Sequence, residues 1–381
     1  MVPPPDYKKF SHIVSHYLNI KCLRSLATIS FLKNPKLKLR DIVIFLLLIS
    51  SMTRQSLLTP TKTDYSDAHG NSEGAQQYKE KWIKIKHQRD ENGNLKYPWD
   101  FEVVHGFFVQ SDMSTDDFGF NHTFQNMGRK KSWEDIKAEL IQLNNEAPDN
   151  VQYKLIFLAR HGHSTQTQIV ELEGLHLWHE KNCKLTGNDQ FTWAPDSELT
   201  EIGLEQAKEN REFWKSELLL GAPIPSKFHT SPLQRACSTL VITWHDLKPV
   251  ETRPIVCEKL REKIGKNLSD KRSTRSEIHE KFGDTYGFIT DGLEEEDIYF
   301  TETRETMPEQ SLRLNGYLQD LFEQDCKSGK VDKKLAVDNI FISTTSHSGT
   351  IRSVINVVGH RNFTVSTGGM LPIVVKATRR N

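Results

Sequence analysis

Tyr153-Lys154-Leu155-Ile156-Phe157-Leu158-Ala159 is an apolar run broken by a single lysine, and it leads straight into Arg160-His161-Gly162-His163-Ser164. A run of this length, apolar at nearly every position, has the signature of a strand buried on both faces. Strands of that kind belong to parallel sheets, and in open α/β sheets ligands bind beyond the carboxyl ends of the strands. An arginine and a histidine at that end can bind and attack an anion. Gly162 is expected to let backbone approach that anion closely.

Downstream, the same alternation recurs. Lys227–Thr230, Ile255–Cys257, Asp338–Thr345 (DNIFISTT) and Leu371–Lys376 read as further strands. Thr200–Trp214 reads as a helix with Thr200 as its cap and Glu201 at its positive end. Ser231–Trp244 reads as another, and Ile351, Val354, Ile355 and Val358 mark a third at spacings of three and four. The chain is therefore expected to be α/β, a three-layer sandwich with a mostly parallel central sheet flanked by helices.

Upstream, Trp133–Asn145 carries the periodicity of a helix, with Ser132 as its N-cap. Tyr78–Asp100 is charge-rich, with isolated Trp82 and Trp99. Residues 53–76, rich in Ser, Thr, Gly, Asp and Gln, read as a flexible linker. The expected organisation is an extension and linker over 1–76, a segment packing on the main domain over 77–150, and the catalytic domain over 151–381. A chain starting near Tyr78 is then expected to fold and keep its site.

The 381 residues are 36% hydrophobic and 26% charged, which suits a sizeable core and excludes collagenous, coiled-coil and wholly disordered classes. Fifty basic residues balance fifty acidic ones, which removes the blanket electrostatic case for nucleic acid. Five widely spaced cysteines without a CxxC pair argue against a disulfide scaffold or a structural zinc site. The balance is locally broken between Lys8 and Arg40, which hold eight Lys or Arg and no acid, followed by the apolar run Ile42–Ile49. That run is too short to span a bilayer. Three readings of the segment stay open: no function, with Met52 as an internal start; organelle targeting; and membrane association through 42–49.

Three more turns follow strands. Ser231-Pro232-Leu233-Gln234-Arg235 reads as a capping box with Pro232 at the first helical position, which puts Arg235 in the first turn beside free backbone N–H groups. Ser346-His347-Ser348-Gly349-Thr350 places His347 just before a helix. Leu260-Arg261-Glu262-Lys263-Ile264-Gly265 offers Glu262 as an acid or base. Each turn alone also reads blandly, as a surface arginine, a core histidine or a solvated glutamate. Together they deliver two arginines, two histidines and a carboxylate to one sheet edge. Phosphoryl transfer through a histidine needs that set: a neutral imidazole to attack phosphorus, guanidinium groups for its oxygens, and an acid for the leaving oxygen. No metal-ligand spacing such as HExxH is present, and neither metal nor cofactor is expected.

LARHGHS, SELTEIGLEQA (Ser197–Ala207), HTSPLQRACST, EKLREKIG and STTSHSGTIR, in that order, resemble the histidine phosphatase superfamily, which includes phosphoglycerate mutases and acid phosphatases. FEVVHGFF (Phe101–Phe108), DKRSTRSEI (Asp270–Ile278) and the ending GGMLPIVVKAT resemble its fungal phosphomutase-like branch. The resemblance spans about Phe101 to Thr378 and implies a phosphoglycerate mutase-like fold. It implies that His161 is the phosphorylated nucleophile, that Arg160, Arg235 and His347 complete the phosphate pocket, and that Glu262 is the proton donor. His163 is then a rim or supporting residue. Thr167 or a neighbour stands where the family often carries an asparagine, which bears on the pocket's geometry or rate.

The function so implied is a metal-independent phosphatase acting on small phosphomonoesters. A mutase using the same residues, or a silent member serving as an interaction subunit, are the alternatives. Lys271, Arg272 and Arg275 are either contacts for a second anionic group or a solvated basic loop, and Glu294–Asp297 reads as a solvated acidic loop. The partner is a small phosphorylated substrate, and oligomeric state stays open. The sequons at Asn121, Asn267 and Asn362 matter only in the secretory pathway. The cysteine pattern points to the cytoplasm, with mitochondria as the alternative.

Overall fold

A computed structural model describes residues 56–380. The basic segment Lys8–Arg40 and the run Ile42–Ile49, with the targeting and membrane readings attached to them, lie outside the described residues. Among the described residues no helix is long and apolar enough to cross a membrane.

In chain order the principal elements are α1 (Lys62–His69), α2 (Ser72–Ile85), β1 (Trp99–Val103), α3 (Trp133–Glu146), β2 (Val151–Arg160), α4 (Thr165–Glu180), α5 (Glu201–Leu219), β3 (Lys227–Thr230), α6 (Gln234–Trp244), β4 (Ile255–Val256), α7 (Arg275–Ile278), α8 (Met307–Glu323), β5 (Cys326–Lys327), β6 (Lys330–Val331), α9 (Lys333–Asp338), β7 (Phe341–Ser346), α10 (Ser348–Val357) and β8 (Met370–Arg379). Six strands form one sheet in the order β1-β8-β2-β7-β3-β4. β2, β7, β3 and β4 run parallel, while β8 is antiparallel to both β1 and β2.

Leu155–Ala159 of β2 is apolar because both faces of the strand are covered. Leu155 and Phe157 join a core cluster with Trp133 of α3, Trp214 of α5 and Trp244 of α6. Ile156 and Leu158, pointing the other way, join Leu314 and Leu318 of α8 with Ile351 and Val354 of α10. The result is helix, sheet, helix. Lys154, the one charge in the run, is fully buried; its ammonium pairs with Asp325 and donates to the Asn339 carbonyl at 2.9 Å. Burial pulls its pKa down to about 8, with Asp325 opposing.

Ser132 caps α3 by accepting from the Asp135 N–H, and Thr200 caps α5 by accepting from Gly203. Four readings are corrected. Residues 56–76 are not a linker: they hold α1 and the start of α2, and Leu58 is buried. Their polar residues serve as caps, Thr61 with Asp64 in a reciprocal capping box and Asn71 on the Gly74 N–H. The helix expected at Ser231 begins at Gln234, where Asp196, from a distant loop, accepts from the Gln234 N–H at 2.9 Å. The strand expected from Asp338 begins at Phe341, because Asp338 ends α9. The Glu294–Asp297 segment is a solvated loop only in part: Glu294 and Glu296 are exposed, but the Asp297 carboxylate is buried against Arg261 and the Glu294 and Glu296 carbonyls accept from Arg272.

Candidate active site

Because β2, β7 and β3 are parallel and aligned, Arg160 lies opposite Ser346 and Thr230 opposite Thr345, so their carboxyl ends stop at one edge. The hydrogen-bond ladder runs one step further: the His161 N–H donates to Ser346 at 2.9 Å and the Ser231 N–H to Thr345 at 3.0 Å. Arg160, His161, Ser231 and His347 are thereby placed by main-chain bonds.

His161 and His347 are buried with ring centroids 5.0 Å apart. His161 Nδ1 lies 2.6 Å from the Gly162 carbonyl oxygen. A carbonyl only accepts, so Nδ1 carries the proton and Nε2 keeps its lone pair. Arg235 Nε donates toward that Nε2 at 3.4 Å. Burial, followed by the Arg235 and Arg160 charges, holds His161 well below the usual histidine range, so the ring is neutral at pH 7. His347 Nε2 lies 2.8 Å from Ser231 Oγ, and burial with the same two arginines lowers its pKa likewise. His347 Nδ1 and Arg160 Nε are buried with no hydrogen-bond partner among the described residues.

The guanidinium groups are braced. Arg235, in the first turn of α6, donates to Asp270 Oδ1 at 2.6 Å and to the Ser269 carbonyl at 3.0 Å. Arg160 Nη1 donates to Asp64 Oδ1 at 2.5 Å and to the Val365 carbonyl at 2.7 Å. Glu262 accepts from the Gly349 N–H at 3.1 Å, two residues past His347, and from the Lys263 N–H at 2.8 Å. Burial opposes its ionisation, yet Arg304, the Lys263 N–H and the Lys263 and Arg352 charges hold its carboxyl down to about 2. The site thus combines a neutral imidazole, two buried guanidiniums and an ionised carboxylate, a set suited to holding an anion and attacking it.

All five residues singled out by sequence meet here. Around them the details differ. Gly162 is also required by packing: a Cβ there would sit 2.6 Å from the Gly203 carbonyl oxygen. Ser231 is not a helix cap but the partner of His347. His163 turns away, with Nδ1 2.8 Å from Thr200 Oγ1 and Nε2 3.1 Å from Glu171. Thr167 is used in capping α4, its N–H donating to Ser164 Oγ at 3.3 Å. Arg272 is buried against Glu258 and loop carbonyls, so it is neither a solvated residue nor a contact for a second anion. Asp64, Asp270 and Arg304 were missed. The Thr61-x-x-Asp64 pattern was readable as a capping box, but nothing local connects Asp64 to Arg160.

Among the described residues no group of three His, Cys, Asp or Glu side chains converges as metal ligands do. A cleft of about 350 Å³ lined by residues such as Val109, Phe120, Gln125 and Arg129 shares no residue with the site.

The sequence model of the histidine phosphatase superfamily (branch 1) matches residues 156–362. A "Probable phosphoglycerate mutase" of Arthroderma benhamiae is 30% identical over 295 residues, covering 72% of this chain and 84% of the relative. "Phosphomutase-like protein 3" of Candida albicans is 30% identical, covering 72% and 79%. A second "Probable phosphoglycerate mutase", from Saccharomyces cerevisiae, is 27% identical, covering 65% and 85%.

Proposed function

This chain belongs to the histidine phosphatase superfamily, and on that premise we propose that it hydrolyses small phosphomonoesters through a phosphohistidine on His161. The observation that carries the reading is the His161 ring, neutral, with Nδ1–H locked onto the Gly162 carbonyl and Nε2 beside Arg235. In the first step the Nε2 lone pair attacks phosphorus, an N–P bond forms, the ester P–O bond breaks and the leaving oxygen takes a proton. In the second, water attacks phosphorus, the N–P bond breaks and the water's proton is given up. Arg160 and Arg235 hold the phosphoryl oxygens, and among the described residues no group competes for His347 Nδ1. Glu262 is ionised in the free enzyme. A bound phosphate dianion beside it offsets the Arg304 and Lys263 charges and raises its pKa, so Glu262 takes up a proton from solvent as the substrate binds and passes it to the leaving oxygen. In the second step it is the base that receives the water's proton.

A mutase would use the same residues, and all three relatives carry a mutase name. The two readings separate on where the phosphoryl group goes, to water or back to an alcohol. The test is phosphate release by the full chain over a panel of small phosphomonoesters, with trapping of an acid-labile label. His161→Ala is expected to lose several orders of magnitude in rate and all label. Full activity in that variant, with label on His163 instead, would sink the assignment.

A further inference from the structure

α1 reaches the phosphate pocket from outside the matched family region. Its N-terminal capping box uses Asp64 Oδ2, which accepts from the Thr61 N–H and from Thr61 Oγ1, both at 2.8 Å. The other oxygen, Oδ1, is thereby aimed at Arg160 Nη1, 2.5 Å away. Three residues on, and so on the same helix face, Asp67 Oδ1 accepts from Arg352 Nη1 at 2.6 Å. The preceding stretch is tied to the domain. Leu58 is buried, its carbonyl accepts from Ser366 Oγ at 2.9 Å, and the Leu57 carbonyl accepts from Gln206 Nε2 at 2.8 Å. At the far end His69 Nε2 lies 2.8 Å from Asp117.

We propose that Asp64 is a positioning residue for the phosphate-binding Arg160, and that residues 56–69 belong to the active site as a strap that delivers it. This rests on the phosphatase reading of the pocket. An arginine side chain has several rotatable bonds and binds a phosphoryl group well only when its fork is oriented beforehand. Asp64 and the Val365 carbonyl together fix Nη1, so the guanidinium plane is set and the unpartnered Nε stays available to an anion. Because Thr61 restrains the carboxylate in turn, Asp64 is held in place rather than free to swing toward a ligand. Burial works against the Asp64 charge, but Arg160 outweighs it and keeps the carboxyl ionised.

The test compares the full-length protein with Asp64→Asn, Asp64→Glu, Arg160→Ala and the Asp64→Asn/Arg160→Ala double variant. Calorimetric binding of inorganic phosphate is measured beside turnover of p-nitrophenyl phosphate and thermal melting. Asp64→Asn keeps an acceptor for Thr61 and so keeps α1, but turns an amide toward Arg160. Its phosphate affinity is expected to fall about tenfold and its kcat/KM about ten- to hundredfold at unchanged Tm. Asp64→Glu is expected to recover most of both. The double variant should be no worse than Arg160→Ala alone, because Asp64 acts through Arg160. Phosphate binding by Asp64→Asn that equals or exceeds that of the unaltered protein would overturn the proposal, as would a loss that simply adds to that of Arg160→Ala. If the unaltered chain binds phosphate, Asp64→Asn weakens it, and no ester is turned over, the phosphatase reading falls while the Asp64 proposal stands. If the unaltered chain binds no phosphate, both fall.

Discussion

At the residue scale, the pocket is a balance of buried charges. Glu262, held down to about 2 by its cationic neighbours, is ionised in the free protein, and in the proposed mechanism a bound phosphate offsets them. Its donor role should therefore show where the leaving group is poor. Glu262→Gln is expected to slow alkyl phosphates by about 10² to 10⁴ and aryl phosphates, whose leaving anions are already stable, much less. Equal small losses on both would instead mark a residue that only pairs with its cationic surroundings. His161 works with the opposite sign. It must be neutral to attack, and burial with Arg235 and Arg160 depresses its pKa. Once the substrate's own second ionisation, about 6 for a phosphate ester, is divided out, lowering the pH through 6.5 should consequently leave kcat/KM unchanged, with the acid limb appearing only further down. A limb centred near 6.5 would mean that the nucleophile titrates as an ordinary histidine.

Between elements, one tight constraint is where the loop after β2 meets the first turn of α5. A Cβ on Gly203 would clash with the His163 carbonyl oxygen, and backbone cannot yield there as a flexible side chain could. Gly203→Ala is expected to lower Tm by several degrees and to cut activity by displacing the loop that carries His161. A variant with the melting point and rate of the unaltered protein would show that the loop moves freely. The strap makes an element-scale prediction of its own. Removing everything before Tyr78 takes away α1, Leu58 and Asp64, so the shortened chain is expected to be inactive or unstable. The sequence suggested the reverse, because a stretch rich in Ser, Thr, Asp and Gly looks like a linker when its residues are in fact capping two helices. Turnover equal to that of the full chain would restore the linker reading.

On the scale of the whole molecule, a set of buried histidines sets how the fold responds to acid. Burial takes His122, His229 and His360 each down to about 4, and it depresses His161 and His347 as well. Unfolded, these rings protonate near pH 6.5 while the folded protein keeps them neutral. Their contribution to stability is present above 6.5 and is lost as the pH falls toward the folded values, by up to about 3 kcal/mol for a histidine moved from 6.5 to 4. Asp196, pushed up to about 6 by burial, runs the other way by binding a proton in the folded state first. The histidines outnumber it, so Tm should drop clearly between pH 7 and pH 5. The drop should be shallower in His229→Asn, which leaves an acceptor for the Tyr317 hydroxyl and cannot titrate. A flat Tm over that interval would mean the rings are reached by water.

Sequence alone was enough for the layered α/β architecture and for the turns that meet at the candidate site. Both are written in local patterns: a run apolar on both faces, caps at Ser132 and Thr200, and Arg-His or Ser-His directly after a strand. Such patterns report backbone preference and which face is covered, and parallel strands then bring their carboxyl ends to one edge without further information. Tertiary structure alone decided who braces whom. Asp64 meets Arg160 from 96 residues away, Ser231 meets His347 across 116, and Asp196 caps α6 from 38 residues upstream. Those pairings depend on sheet register and on how helices dock, and a polar side chain in a loop carries no periodic signal of the partner that packing will bring to it.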